Sequence, residues 1–133
     1  LKGIIAINNL GYIGKDNKLM WKSSEDLQHF KRLTEGSRCL VGYNTNLELP
    51  PLTNRTIIVD TKDGIIEADR QNIDWCIGGK KTYEKYVKFF TEIHISHIDN
   101  NDIGDTMLPM LLLDPDCKIF NYYFKTNVLE YEF

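Results

Sequence analysis

Residues 12–34 read Y-I-G-K-D-N-K-L-M-W-K-S-S-E-D-L-Q-H-F-K-R-L-T, a polar, glycine-bearing stretch that runs into a helix. Ser23 and Ser24 are good N-cap residues, and an acid, Asp26, lies three residues after Ser23, so the helix is predicted to start there. Beyond it Leu27, Phe30 and Leu33 recur at helical spacing, while Glu25, Gln28, His29, Lys31, Arg32 and Glu35 are assigned to the wet side. Asp26 stands four residues before Phe30 and therefore falls on the apolar face. Two readings of it are open. It is a first-turn acid that favours the helix dipole, or a desolvated carboxyl with a raised pKa and a task.

The bulk properties narrow the setting. A chain of 133 residues, 42% hydrophobic and 26% charged, is expected to form one domain with a real core. A net charge of −3 and a pI near 5.6 give no reason to expect nucleic acid as a partner. No apolar run approaches a membrane span and no signal-peptide core is seen, so no membrane partner and a cytoplasmic location are expected. The first residue is Leu1 rather than Met, which points to processing or trimming. Cys39, Cys76 and Cys117 are odd in number and far apart, and read as buried thiols rather than disulfides or metal ligands.

Working outward, Leu1 to Asn8 is an apolar run of strand length, with Ile5 and Ile7 read as packing. Asn9 to Leu19 carries Gly11 and Gly14 and reads as a loop that could serve as a lid. Ser37 to Tyr43 reads as a strand closed by Gly42, and Asn44 and Thr45 open a short helical stretch to Leu49, an arrangement suited to phosphate. Pro50 to Arg55 is a turn-rich bend before the strand T-I-I-V-D. By itself Arg55 is a solvated charge or a two-pronged donor for a carboxylate. Lys62 to Ile73 is short and polar. Asp74 to Ile77 reads as a strand ending in Gly78-Gly79, which permits close backbone approach. A helix is expected from Thr82 to Phe89, with Tyr83, Tyr86, Val87 and Phe90 on its apolar side. Ile93 to Ile98 alternates as a strand, so His94 and His97 face opposite ways and cannot share a metal; no metal site is expected. Met107 to Pro115 suits a surface turn, and the apolar run Leu111 to Leu113 has no assigned role. Cys117 to Tyr123 and Thr126 to Phe133 read as two strands of a terminal antiparallel hairpin joined by Phe124-Lys125.

Gly14, Asn17, Leu19 and Trp21, followed by Asp26, Phe30 and Thr34, closely resemble the pattern of dihydrofolate reductases: G-x-x-x-x-hydrophobic-P-W, an acid five later, an aromatic four later, then Thr. Met20 stands where that family has Pro. Three more stretches resemble the family in order: Pro50 to Arg55 its P-L-P-G-R, Ile77 to Tyr83 its I-G-G-x-x-x-Y, and His97 to Thr106 its H-I-D-x-x-x-x-G-D-T. The resemblance runs from Ile4 to Phe133 and is to a compact, bacterial or phage-like member with shortened connecting segments.

The resemblance implies an α/β fold, a mixed, mostly parallel twisted sheet flanked by helices with a C-terminal antiparallel hairpin. It implies hydride transfer from NADPH to 7,8-dihydrofolate, by a monomer of a family that antifolates target. Asp26 would orient the pterin and promote its protonation through water held by Trp21. Ile4, Leu27, Phe30, Arg55 and Ser96 would meet the substrate, Arg55 taking the glutamate tail and Ser96 supporting the acid. Ala6, Ile13, Gly14, Asn17 and Leu19 would meet the nicotinamide side of the cofactor. Tyr43, Asn44 and Thr45 would meet its phosphates, with Thr61 and Lys62 toward the adenosine. Ile77, Gly78, Gly79, Lys80, Lys81, Thr82 and Tyr83 would line the diphosphate. Tyr43 replaces a residue that is usually basic in the family, and Lys62 could supply the missing charge. Two other readings stay open: a riboflavin-pathway reductase on the same fold, against which Asp26 and Arg55 count, and a non-catalytic relative that retained the fold.

Overall fold

The apolar run at the start of the chain becomes β1 (Lys2–Asn8), a strand inside the sheet whose alternate residues feed two different cores. The computed structural model describes residues 1–14, 21–108 and 117–126. Following β1 come β2 (Tyr12–Gly14), α1 (Ser24–Thr34), β3 (Arg38–Val41), α2 (Tyr43–Glu48), β4 (Thr56–Val59) and α3 (Glu67–Arg70). The rest comprises β5 (Trp75–Cys76), α4 (Lys80–Tyr86) with a 3-10 turn at Val87–Phe89, β6 (Glu92–Asp99), β7 (Thr106–Met107) and β8 (Lys118–Lys125). Six strands form one sheet in the order β4-β3-β5-β1-β6-β8, and each described pairing in it is parallel. The antiparallel component is β2 with β7.

A parallel sheet must be covered on both faces. Ile5 and Ile7 of β1 and Ile93 and Ile95 of β6 pack with Tyr83, Tyr86, Val87 and Phe90 from α4 and the turn after it. On the opposite face Ile4, Cys39 and Trp75 pack with Phe30 and Leu33 of α1. The cysteines are buried, as expected from the sequence.

Several boundaries differ from the sequence reading. Gly14 belongs to β2 rather than to a loop, because Tyr12 and Gly14 find partners in Met107 and Thr106. The polar stretch 62–73 contains the helix α3. Gly42 caps α2, so this helix starts at Tyr43, and α4 starts at Lys80 rather than Thr82. Phe124 and Lys125 are not a hairpin turn: they continue β8 in register with Ile98 and Asp99. The alternation of Phe120, Tyr122 and Phe124 supplies side chains for one face as far as the ladder runs. Residues 127–133, which include most of the expected second hairpin strand, lie outside the described residues, as does the run Leu111 to Leu113.

Candidate active site

Helix α1 begins where the sequence predicts, with the Ser23 hydroxyl accepting from the Asp26 backbone N–H at 3.3 Å. Its buried stripe is Asp26, His29 and Thr34, with Phe30 and Leu33 half-buried between them. That is the i, i+3, i+4, i+7, i+8 face of a helix counted from Asp26. Counting from Asp26 rather than from Leu27 corrects two expectations. His29 is buried, at 6% exposure, instead of facing water, and Leu27, about 100° round the helix from Asp26, is 54% exposed. An exposed Leu27 at the rim remains available to a ligand but adds little to the core.

Asp26 is 7% exposed. Burial pushes its carboxyl above the usual range, opposed by a hydrogen bond from Ser96 and by the His29 imidazole. Ser96 reaches it from β6, where it pairs with Ala6 and shares a strand face with His94. Trp21 is buried just ahead of the helix, and its Nε1 has no partner among the described protein groups. A buried indole N–H in that state calls for a water or a ligand atom.

At the other end of α1, Thr34 donates to the Phe30 carbonyl at 2.7 Å and accepts from Arg55 Nη1 at 3.2 Å. Arg55 Nε donates to the Thr53 carbonyl at 2.9 Å, and the guanidinium lies 5.8 Å from the Phe30 ring centroid. Arg55 is therefore half-buried and oriented rather than a loose surface charge. These contacts hold Arg55, from the bend before β4, against the C-terminal end of the helix whose first turn carries Asp26.

The β3–α2 and β5–α4 turns meet each other at the ends of neighbouring strands. The Gly42 N–H donates to the Gly78 carbonyl at 2.7 Å, and the Gly78-Gly79 peptide is cis. A Cβ on Gly42 would come within 2.5 Å of Thr82 Oγ1, and one on Gly79 within 2.6 Å of Thr45 Oγ1. Only glycine lets the two turns interlock so closely. Neither α2 nor α4 has a side-chain N-cap bond, so first-turn amides at 43–45 and 80–82 face outward from neighbouring strand ends. Such a double cradle, with Lys80 and Lys81 exposed at its edge, fits a diphosphate.

The remaining expected contacts divide. Ile4, at 5% exposure, points its side chain into the core under α1, and its carbonyl accepts from the Tyr83 hydroxyl at 2.6 Å. The Tyr83 hydroxyl is thus committed to the protein itself. Ile13 and Ile77 pack half-buried against the two cores, and Gly14 is buried beside β7, paired with Thr106. Thr61 closes a turn on Gly64 at 2.9 Å, with Lys62 exposed on it, and Tyr43 is 66% exposed. Asn17, Leu19 and Met20 lie outside the described residues.

Some residues went unnoticed in the sequence. Asn8 is 3% exposed and ties the 9–12 turn to the 100–102 turn, accepting from the Leu10 and Tyr12 amides and donating to Asn100 and the Asp102 carbonyl. Asp60 accepts from Lys85 at 2.9 Å and Tyr86 at 2.5 Å, and Tyr86 in turn accepts from the Ile65 amide, which braces the turn carrying Thr61 and Lys62. Both are polar residues at the end of an apolar strand run, and that position was the available signal.

A family model described as dihydrofolate reductase matches residues 1–122. The chain is 28% identical over 137 residues to dihydrofolate reductase type 9 of Escherichia coli, a match covering 84% of this chain and 77% of that protein. It is 31% identical over 152 residues to the dihydrofolate reductase of Buchnera aphidicola subsp. Acyrthosiphon pisum (strain APS), covering 98% and 94%. Among solved structures, dihydrofolate reductase from Enterococcus faecalis complexed with NADP(H) and RAB-propyl superimposes with a TM-score of 0.70. The identity is 28%, over 81% of this chain and 76% of that one.

Proposed function

This chain belongs to the dihydrofolate reductase family and acts as an NADPH-dependent reductase of 7,8-dihydrofolate, and we propose that it does so at the face of α1 that carries Asp26. NADPH, when bound, supplies the hydride. The chain's own residues bind, orient and protonate. The Asp26 carboxylate accepts from the pterin amino group and ring N–H, which orients the ring and raises the basicity of the nitrogen that must take a proton. The single observation that carries this is a buried carboxyl in a helix stripe, braced by Ser96 from the sheet.

Trp21 holds the proton-bearing water through its Nε1 and walls the site from solvent; its orphaned buried donor supports that role. Leu27 and Phe30 flank the benzoyl ring, and Arg55, already braced by Thr34 and Thr53, takes the glutamate carboxylate with its remaining donors. The interlocked glycine turns take the diphosphate, Lys80 and Lys81 lend charge, and the braced turn bearing Thr61 and Lys62 serves the adenosine end. The same proposal includes a cytoplasmic monomer acting on small molecules, without nucleic acid or membrane. Its support is the net charge of −3, the buried thiols, and the lack of a helix among the described residues long and apolar enough to cross a membrane.

The test is oxidation of NADPH by the purified protein on addition of dihydrofolate, with NADH in parallel and an antifolate as control. Antifolate-blocked turnover that falls by about 10²-fold or more in Asp26→Asn is the expected result. No turnover in folded protein, or an Asp26→Asn variant as fast as the parent, would overturn it.

A further inference from the structure

His29 does not behave as a satisfied core histidine. It sits three residues after Asp26 on the same helix, both side chains are buried, and its Nε2 has no partner among the described protein groups. Its ring packs 4.1 Å from the Tyr122 ring and 5.3 Å from the Phe124 ring, both from β8. The Tyr122 hydroxyl is 2.9 Å from His94 Nδ1, and His94 Nε2 is 2.9 Å from Glu92. The groups that act on His29 are Asp26 and Arg32 from α1 and His94 from β6, while β8 presents the Tyr122 phenol. Among the described residues, Asp26 is the one acid of the charged groups that act on it.

We propose that His29 is a positioning residue of the reductase, the electrostatic partner that sets how tightly the pterin-binding carboxylate of Asp26 holds its proton. This rests on the reading of Asp26 given above. Residues three apart on a helix are neighbours, and in a dry layer their charges are poorly screened. Burial disfavours both charged forms, lowering the imidazole and raising the carboxyl, while each charge favours the other. The two groups therefore take up protons as a pair rather than independently. Wherever the imidazole is protonated, its charge favours the ionised Asp26 and opposes uptake of a proton by the carboxyl, which extends turnover to lower pH.

Linkage makes the test symmetric, because whatever Asp26 does to His29, His29 does equally to Asp26. The imidazole titrations are followed by NMR in the parent and in Asp26→Asn, with the His29 signal assigned by its loss in His29→Gln. The pH dependence of turnover is measured in His29→Gln and His29→Phe. The expected result is a His29 midpoint that moves to lower pH in Asp26→Asn, and an acid limb of turnover that moves to higher pH in both His29 variants. A His29 midpoint unmoved by Asp26→Asn overturns the inference, as does a His29→Phe profile that keeps the parent shape, since packing alone would then explain the residue. If His29→Phe does not fold, the Asp26→Asn titration still decides. Loss of turnover in Asp26→Asn with His29 unmoved refutes this inference and leaves the function intact. An active Asp26→Asn refutes both.

Discussion

Removing one oxygen from Tyr83 tests how the sheet is joined to the α4 layer. The hydroxyl donates to the Ile4 carbonyl at 2.6 Å, from a ring that is 5% exposed. The β1–β5 ladder ends at the Gly3–Cys76 pair, so beyond it the Ile4 carbonyl relies on a side chain for its donor. Burial holds the Tyr83 phenol well above its ordinary range, so it stays a donor at any working pH. Tyr83→Phe keeps the ring and leaves no cavity. What is lost is the partner of a buried carbonyl, and an unsatisfied group of that kind costs about 1–3 kcal/mol. For a chain of this length, about 2 kcal/mol corresponds to a fall of about 5–10 °C in Tm. Urea unfolding followed by circular dichroism should show a lower midpoint with an unchanged m-value. A loss below about 0.5 kcal/mol at constant m would mean that the Ile4 carbonyl finds another donor, and this account of the junction would be wrong.

Three further outcomes are expected. Because burial raises the Asp26 carboxyl above its ordinary 3.8, the folded chain binds that proton more tightly than the unfolded chain, so Asp26 costs stability as pH rises through its folded value. Asp26→Asn should therefore melt higher than the parent at pH 7, with the advantage fading below the unfolded value; a lower Tm at neutral pH would refute this. Ser96→Ala removes a hydrogen bond that favours the ionised acid, so the acid limb of kcat/KM should move to higher pH, and an unchanged profile would deny Ser96 its part. The three thiols are buried, with Cys39 pushed up to about 11 and Cys76 to about 12, so a disulfide reagent at pH 8 should label native protein slowly and all three after unfolding. Rapid native labelling would contradict that burial.

Local chemistry determined a great deal of this protein from the sequence alone. The serine cap and the acid after it set the start of α1, and a short apolar run of strand length read as an inner strand. Odd spacing sent His94 and His97 to opposite faces, where they meet Tyr122 and Asn121 respectively. Such features depend on neighbours within a turn or two, which the sequence states directly. The glycine pair announced close approach, but its partner, the Gly42 turn, lies 36 residues away and only the fold brings them together.

What tertiary structure alone decided is where the dry stripe of α1 is centred and how far β8 runs. The placement of His29 illustrates the reason. A helix carries no mark of where its buried stripe is centred when that stripe holds an acid, a histidine and a threonine. The centre is set by β8, whose Tyr122 and Phe124 cover His29 from a strand more than ninety residues further along the chain. Phe124 and Lys125 read as a turn for the same reason, since the β6 ladder that extends them is invisible locally. Burial is a property of what packs against a residue, and for this site the packing comes from the far end of the sequence.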